Sequence, residues 1–283
     1  MKTVLNFCFC DYAAVNLAEN FSQPVDYFFP GAAVRKLPIS IESAEHIDFN
    51  VDLIIIGGGG IFTGGGVTLW DKMKQIVSAA PLTVPIVVWG MGINDHGRAD
   101  RLYDETLHWL ASRPNVIVGL RDAFHDPWVP CASCMRPEFD HASSVTHDVV
   151  YYSHCDLILP LPFPRLTNRV QGDSNEDLAA VVAFMTSAET VVTNTYHGAY
   201  WATLLNRRVI VIKPFSNKFS GFRHEPIITT ETRQLSRLLK RAVRYPHALA
   251  ECRHANMKFL ARVREHVAAV ASGAAEAPSS YAD

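Results

Sequence analysis

The chain has 283 residues, 48% of them hydrophobic and 19% charged, with a formal net charge of −2. That length admits one large domain or two of roughly 130–150 residues each, and the apolar fraction excludes a mainly disordered chain. The near-neutral balance argues against a nucleic-acid partner held by bulk positive charge.

Six cysteines are too sparse for a disulfide scaffold. Cys8 and Cys10 sit in or beside a strand-like run at residues 4–9, and their spacing points them to opposite faces. A reducing compartment is expected. The opening MKTVLNFCFCDYAAVN is broken by Asn6 and ended by Asp11, unlike a signal peptide. No apolar run approaches the ~20 residues of a membrane span. A soluble cytoplasmic protein is the expectation.

Further apolar runs predict strands at residues 52–56, 86–89, 116–120, 157–159, 191–193 and 209–212. Several are almost wholly apolar, as strands covered on both faces are. Between them, helical periodicity predicts helices at 68–79, 98–111 (with Leu102, Leu107 and Leu110 on one side), 174–185 and 197–205. Residues 174–177, Ser-Asn-Glu-Asp, resemble a capping box for the third of these. Two further helices, at 231–243 and from beyond Pro246 to about 272, precede a small, polar tail beginning at Gly273. The alternation predicts an α/β fold with parallel sheets. Residues 120–155, rich in Pro, His and Cys, are the least periodic stretch. The expected division is therefore an N-terminal Rossmann-like domain over 1–145 and a C-terminal one over 146–283, with a central cleft.

Five places could carry chemistry. Gly57–Gly60 follows a strand, with Gly64–Gly66 close behind; Gly58, Gly59 and Gly60 are candidate cleft-lining residues. The pattern is neither G-x-G-x-x-G nor a P-loop. Trp89, Gly90, Met91, Gly92 and Asn94 form a second glycine-bearing segment on the same expected rim. Asn194, Thr195, Tyr196, His197 and Gly198 join a strand to a helix. A His there sees the positive end of the helix dipole, which suits an anionic substrate, although a capped core His is the plain alternative. Lys213, Ser216, Asn217 and Lys218 offer an anion cradle after the next strand, and Arg121 offers bidentate binding of phosphate or carboxylate. Cys131 and Cys134, with His125, His141, His147, His154 and Cys155 nearby, fit no standard zinc spacing, and no metal is expected. The last two helices are basic, as a solvated face or a peripheral contact with an anionic membrane would be.

The segments Leu53–Phe62, 88–93, 118–122, 192–202 and 205–210, in that order, resemble the polysaccharide pyruvyl transferases over about residues 50–215. The resemblance implies a two-domain GT-B-type protein. It implies transfer of a pyruvyl group from phosphoenolpyruvate to a sugar of a cell-surface polysaccharide or lipid-linked precursor, as a cyclic ketal. On it, His197 would be the acid/base and Arg121 would hold the donor, with no cofactor beyond that donor substrate; the protein would act in the cytoplasm or at the inner membrane face. Two positions depart from the family's pattern. Thr195 stands where many members have Arg, and residues 16–19, Asn-Leu-Ala-Glu, stand where many have Asn-x-Gly-Asp. A GT-B glycosyltransferase using a nucleotide sugar, and a non-catalytic glycan- or nucleotide-binding module, are the alternatives.

Overall fold

The computed structural model describes residues 1–10, 15–40, 44–62, 69–94, 100–141, 144–214 and 216–275. The expectations for Gly64–Gly66, for residues 68, 98 and 99, for the Leu102 side chain, for Phe215 and for the tail from 276 fall outside these residues. The chain is mixed α/β with two parallel five-stranded sheets, one in each of two units. Unit 1 comprises Met1–Asp11, Ser22–Ala132 and His254–Asp283; unit 2 comprises Tyr12–Phe21 and Ser133–Arg253.

This division corrects the single cut expected after residue 145. Residues 133–140 pack into unit 2: Ser133 Oγ accepts from Trp201 Nε1 at 3.0 Å, and Phe139 lies 6.2 Å from the Trp201 ring. Arg253 donates to the Cys134 and Arg136 carbonyls and to the Asp140 carboxylate, which that hydrogen bond, with the Arg253 charge, holds below the usual carboxylate range. The chain's last helix gives its larger part to unit 1, where Asn256 Oδ1 accepts from Trp89 Nε1 at 2.9 Å and its amide donates to the Pro130 carbonyl. Such exchanges follow from long-range packing, which a linear composition shift does not record.

In unit 1 the strands are β1 (Thr3–Cys8), β2 (Ala33–Pro38), β3 (Leu53–Phe62), β4 (Ile86–Ile93) and β5 (Val116–Leu120), ordered β2-β1-β3-β4-β5. Helix α1 is Val25–Phe28; α2 (Leu69–Ala79) packs on β3 and α3 (Asp100–Ala111) on β5. Every residue of β4 is buried, as the apolar run requires of a strand covered on both faces. On one face Leu5, Ile54, Ile56, Val88 and Met91 meet Trp70, Met73, Ile76 and Leu110. On the other, Trp89 stacks on Phe28 (4.8 Å) and meets Phe259 edge-on (4.9 Å).

In unit 2 the strands are β6 (His147–Ser153), β7 (Arg165–Thr167), β8 (Ala188–Thr193), β9 (Arg208–Ile212) and β10 (Ile227–Thr229), ordered β10-β9-β8-β6-β7. Numbered within its own unit, this is the order of unit 1 again: second, first, third, fourth, fifth. Helices α4 (Ser174–Thr186), α5 (Tyr196–Leu204) and α6 (Leu235–Leu238) follow, and α7 (Ala248–Ala271) closes the chain. Tyr151, Val192, Ile210 and Ile212 form a core with Leu235, Leu238 and Ala242.

Several local expectations are corrected. No strand spans 157–159; the edge strand is β7, and Leu157 makes only a bridge to His154. The helix expected over 231–243 shrinks to a turn at Thr232–Gln234 and the four residues of α6; Leu235, Leu238 and Ala242 are buried in the core and Leu239 packs against it. The α4 cap is Asp173, which accepts from the Asn175 and Glu176 amides, while Asp177 accepts from those of Gln171 and Gly172. The glycine run is not a loop: β3 continues through Phe62, and Gly57 pairs with Trp89 and Gly59 with Met91. A Cβ on Gly57 would lie 2.2 Å from the Trp89 carbonyl oxygen, so only glycine lets these strands approach there. The Trp89 segment is likewise strand up to Ile93, with a bulge between Trp89 and Met91 where Gly90 takes φ +65.

Candidate functional site

In a parallel sheet every strand ends on one rim, and ligands of such sheets bind beyond those ends, where the strand order reverses. The reversal lies between β1 and β3 in unit 1 and between β6 and β8 in unit 2.

The unit 1 rim is built by glycine. Gly58 and Gly59 take φ +70 and +114, and a Cβ on them would meet the Ser22 carbonyl (2.3 Å) and the Phe9 ring (2.4 Å). A Cβ on Gly60 would sit 2.4 Å from Asn94 Cβ and 3.1 Å from Arg121 Nη2. One on Gly92 would sit 2.5 Å from Arg121 Nε and 2.8 Å from Asp122 Oδ2. Gly60, Gly92, Asn94, Arg121 and Asp122 are thus brought together. Arg121 is buried, and its Nη2 donates to the Ile93 carbonyl at 3.0 Å. Asp122 accepts from the Ile93 amide at 2.9 Å; burial, only partly offset by Arg121, pushes its carboxyl up to about 6. Asn94 Oδ1 is buried there without a hydrogen-bond partner. Trp89 and Met91 are fully buried core residues rather than rim residues.

The unit 2 rim is built by polar side chains. Thr195 caps α5: its Oγ1 accepts from the Gly198 amide at 2.8 Å and lies 3.2 Å from Thr193 Oγ1. A Cβ on Gly198 would meet those two hydroxyls at 2.5 and 2.3 Å and Tyr152 Cδ1 at 2.7 Å, so this glycine is required by packing alone. Asn194 is fully buried and bridges the reversal point. Its Oδ1 accepts from the His154 amide (2.8 Å) and its Nδ2 donates to the Leu157 carbonyl (2.7 Å). His197, in the first turn of α5, is 9% exposed, with Tyr196 and Trp201 rings at 5.4 and 5.5 Å. Tyr196 also packs on Phe222 at 4.8 Å and so belongs to an aromatic cluster.

After β9, Lys213 takes φ 45, an uncommon conformation for a residue with a side chain, and stays exposed. Ser216 Oγ is buried without a hydrogen-bond partner, and Lys218 Nζ lies 5.9 Å from the Phe219 ring. Burial, opposed by Asp156 and reinforced by the Lys218 charge, holds the His154 imidazole below its ordinary value. So His154, Asn194, His197 and Lys218 all follow strand ends of this sheet. Asp156 and Asn168 also lie here, and no sequence motif marks either.

Cys131 lies in unit 1 and Cys134 in unit 2; among the described residues, a group of three possible metal ligands forms instead at His154, Cys155 and Asp156. Of the basic residues near the chain end, Arg244 pairs with Glu189 and Arg233 with Glu231. No described helix is long and apolar enough to cross a membrane.

A solved structure of a functionally uncharacterized protein from Klebsiella pneumoniae subsp. pneumoniae is similar to this chain, with TM-score 0.52 and 13% identity over 81% of this chain and 94% of that one. Identity that low speaks to fold alone. The chain matches no protein-family profile and no curated protein.

Proposed function

We propose that the chain is a transferase of the polysaccharide pyruvyl transferase type, with two Rossmann-like units in a GT-B-like plan, moving a pyruvyl group from phosphoenolpyruvate onto a sugar. The observation that carries the reading is the position of His197: a nearly buried imidazole in the first turn of α5, beyond the end of β8, on the unit whose rim also bears Lys218. Helix N-terminus and lysine suit a phosphate and a carboxylate.

In the reaction, an imidazolium at His197 gives its proton to the methylene carbon of the enol, leaving positive charge at C2. One sugar hydroxyl adds there and loses its proton. Phosphate then leaves, and a second hydroxyl of the same sugar adds and loses its proton, closing the ketal. Arg121 is the candidate anion-binding cation of unit 1. Thr195, a neutral side chain where many family members have Arg, supplies no cation, and its hydroxyl caps Gly198. That same observation favours, as the second reading, a nucleotide-sugar donor in place of phosphoenolpyruvate.

The two donors are separated by incubating the full chain with phosphoenolpyruvate and a panel of glycosides. Phosphate release matched by an acceptor mass gain of one pyruvyl ketal supports the first reading. Thermal stabilisation by a nucleotide sugar, with none by phosphoenolpyruvate, overturns it. For His197→Ala the expected outcome is turnover lowered by about 10²-fold or more with the melting temperature retained; near-normal turnover removes His197 from the mechanism.

A further inference from the structure

The turn that leaves β6 carries three consecutive metal-ligating side chains, His154, Cys155 and Asp156. Neighbours in sequence rarely point their donors at one place, and here the backbone makes them do so. The His154 amide is held by Asn194 Oδ1 (2.8 Å), the Cys155 amide by Asn168 Oδ1 (2.9 Å) and the Asp156 amide by His154 Nδ1 (3.2 Å). The turn closes with the Leu157 amide on the His154 carbonyl, and the Leu157 carbonyl accepts from Asn194. Asn168 is itself buried and anchored by a hydrogen bond from its Nδ2 to Asn16 Oδ1. Two buried asparagines from different segments therefore fix the shape of one short turn, and with it the directions of its side chains.

The donor atoms of the three residues lie within 4.8 Å of one another. Cys155 Sγ is 3.5 Å from Asp156 Oδ1, and His154 Nδ1 is 3.8 Å from Asp156 Oδ2. A tetrahedral site with bonds of about 2.0–2.3 Å has donor-to-donor edges of roughly 3.3–3.8 Å. The Cys155–Asp156 and His154–Asp156 separations fall in that range, each to a different carboxylate oxygen, and side-chain rotation within the 4.8 Å span of the donors brings them onto one small ion. We propose that His154, Cys155 and Asp156 form a binding site for a divalent transition-metal ion, Zn²⁺ being the best match to an imidazole, a thiolate and a carboxylate.

The thiolate selects against Mg²⁺ and Ca²⁺. On binding, the Cys155 thiol releases its proton to solvent and the His154–Asp156 amide hydrogen bond gives way to the metal bond. Arg169 Nη2, 3.9 Å from Asp156 Oδ1, is an exposed and weak competitor. Three protein ligands leave a fourth position to water or substrate. The turn itself follows β6, beside the point where the strand order reverses and where ligands of such sheets bind. The site does not depend on the pyruvyl-transfer reading.

The test is titration of the metal-free full chain with Co²⁺, followed by absorption, then displacement by Zn²⁺. One Co²⁺ per chain, with a thiolate-to-cobalt charge-transfer band, is the expected result. Cys155→Ser abolishes the band, and His154→Gln weakens binding by about tenfold or more. Asp156→Asn, at a side chain 72% exposed and hence harmless to folding, weakens it similarly. A double Cys131→Ser, Cys134→Ser variant leaves the band unchanged. No saturable band, a band that survives Cys155→Ser, or affinity unaltered by Asp156→Asn overturns the proposal.

Discussion

The two sheets share one strand order, yet their rims are made by opposite means. In unit 1 the ends of β3 and β4 are shaped by missing side chains: Gly57 lets two backbones approach, and Gly60 and Gly92 leave the space that Arg121 and Asp122 occupy. In unit 2 the ends of β6 and β8 are shaped by side chains that substitute for backbone partners, with Asn194 spanning the reversal point and Thr195 starting a helix. One topology thus accepts either solution. A rim built by glycine is intolerant of added volume, whereas a rim built by amides is intolerant of lost hydrogen bonds.

The sharpest way to break that comparison is Gly57→Ala. Its Cβ meets backbone, which no rotamer change relieves, so a loss of about 3 kcal/mol or more is expected in denaturant unfolding. Gly172→Ala, with nothing within 4 Å, is the control and should shift stability by about 0.5 kcal/mol or less. Equal effects would show that the close approach is not what the glycine serves.

Next in size is a pH effect confined to unit 1. Asp122 binds its proton more tightly folded, at about 6, than unfolded, near 3.8. Stability contributed by the protonated form is therefore present in acid and falls as pH rises from about 4 through about 6, by up to roughly 3 kcal/mol. Asp122→Asn should flatten that fall in melts between pH 4 and 7; an unchanged profile would locate the titration elsewhere.

The smaller effect is expected in unit 2. Asn194→Ala leaves the His154 amide and the Leu157 carbonyl without their partners, at a cost of about 1–2 kcal/mol. Hydrogen exchange at residues 154–157 should accelerate. Protection equal to the parent's would mean that the turn holds its shape without the asparagine.

These residues also mark what a reader of the sequence could see. The buried strands β3, β4, β8 and β9 were legible, because strands covered on both faces must be continuously apolar. The strands β2, β6, β7 and β10 were not. β2, β7 and β10 are short or exposed edge strands, and Ala33–Pro38 includes Arg35 and Lys36. β6 is an inner strand whose first half, from His147 and Asp148, is exposed and polar. His197, Arg121 and the glycines stood out by type and spacing. Asn168 did not, because its role depends on a turn 13 residues earlier in the chain. Gly198 was legible as part of a His-Gly pair, but its packing against Thr193 and Tyr152 was not.

By itself the sequence determined the alternation of buried strands and amphipathic helices, since hydrophobic periodicity is a local property that follows from which faces must leave water. Tertiary structure alone decided that residues 12–21 join unit 2, that the greater part of α7 joins unit 1, and that Gly57–Gly60 continue a strand. It also decided that the donor atoms of His154, Cys155 and Asp156 lie within 4.8 Å of one another. Those outcomes rest on hydrogen bonds and contacts between distant residues, and no window along the chain contains both partners.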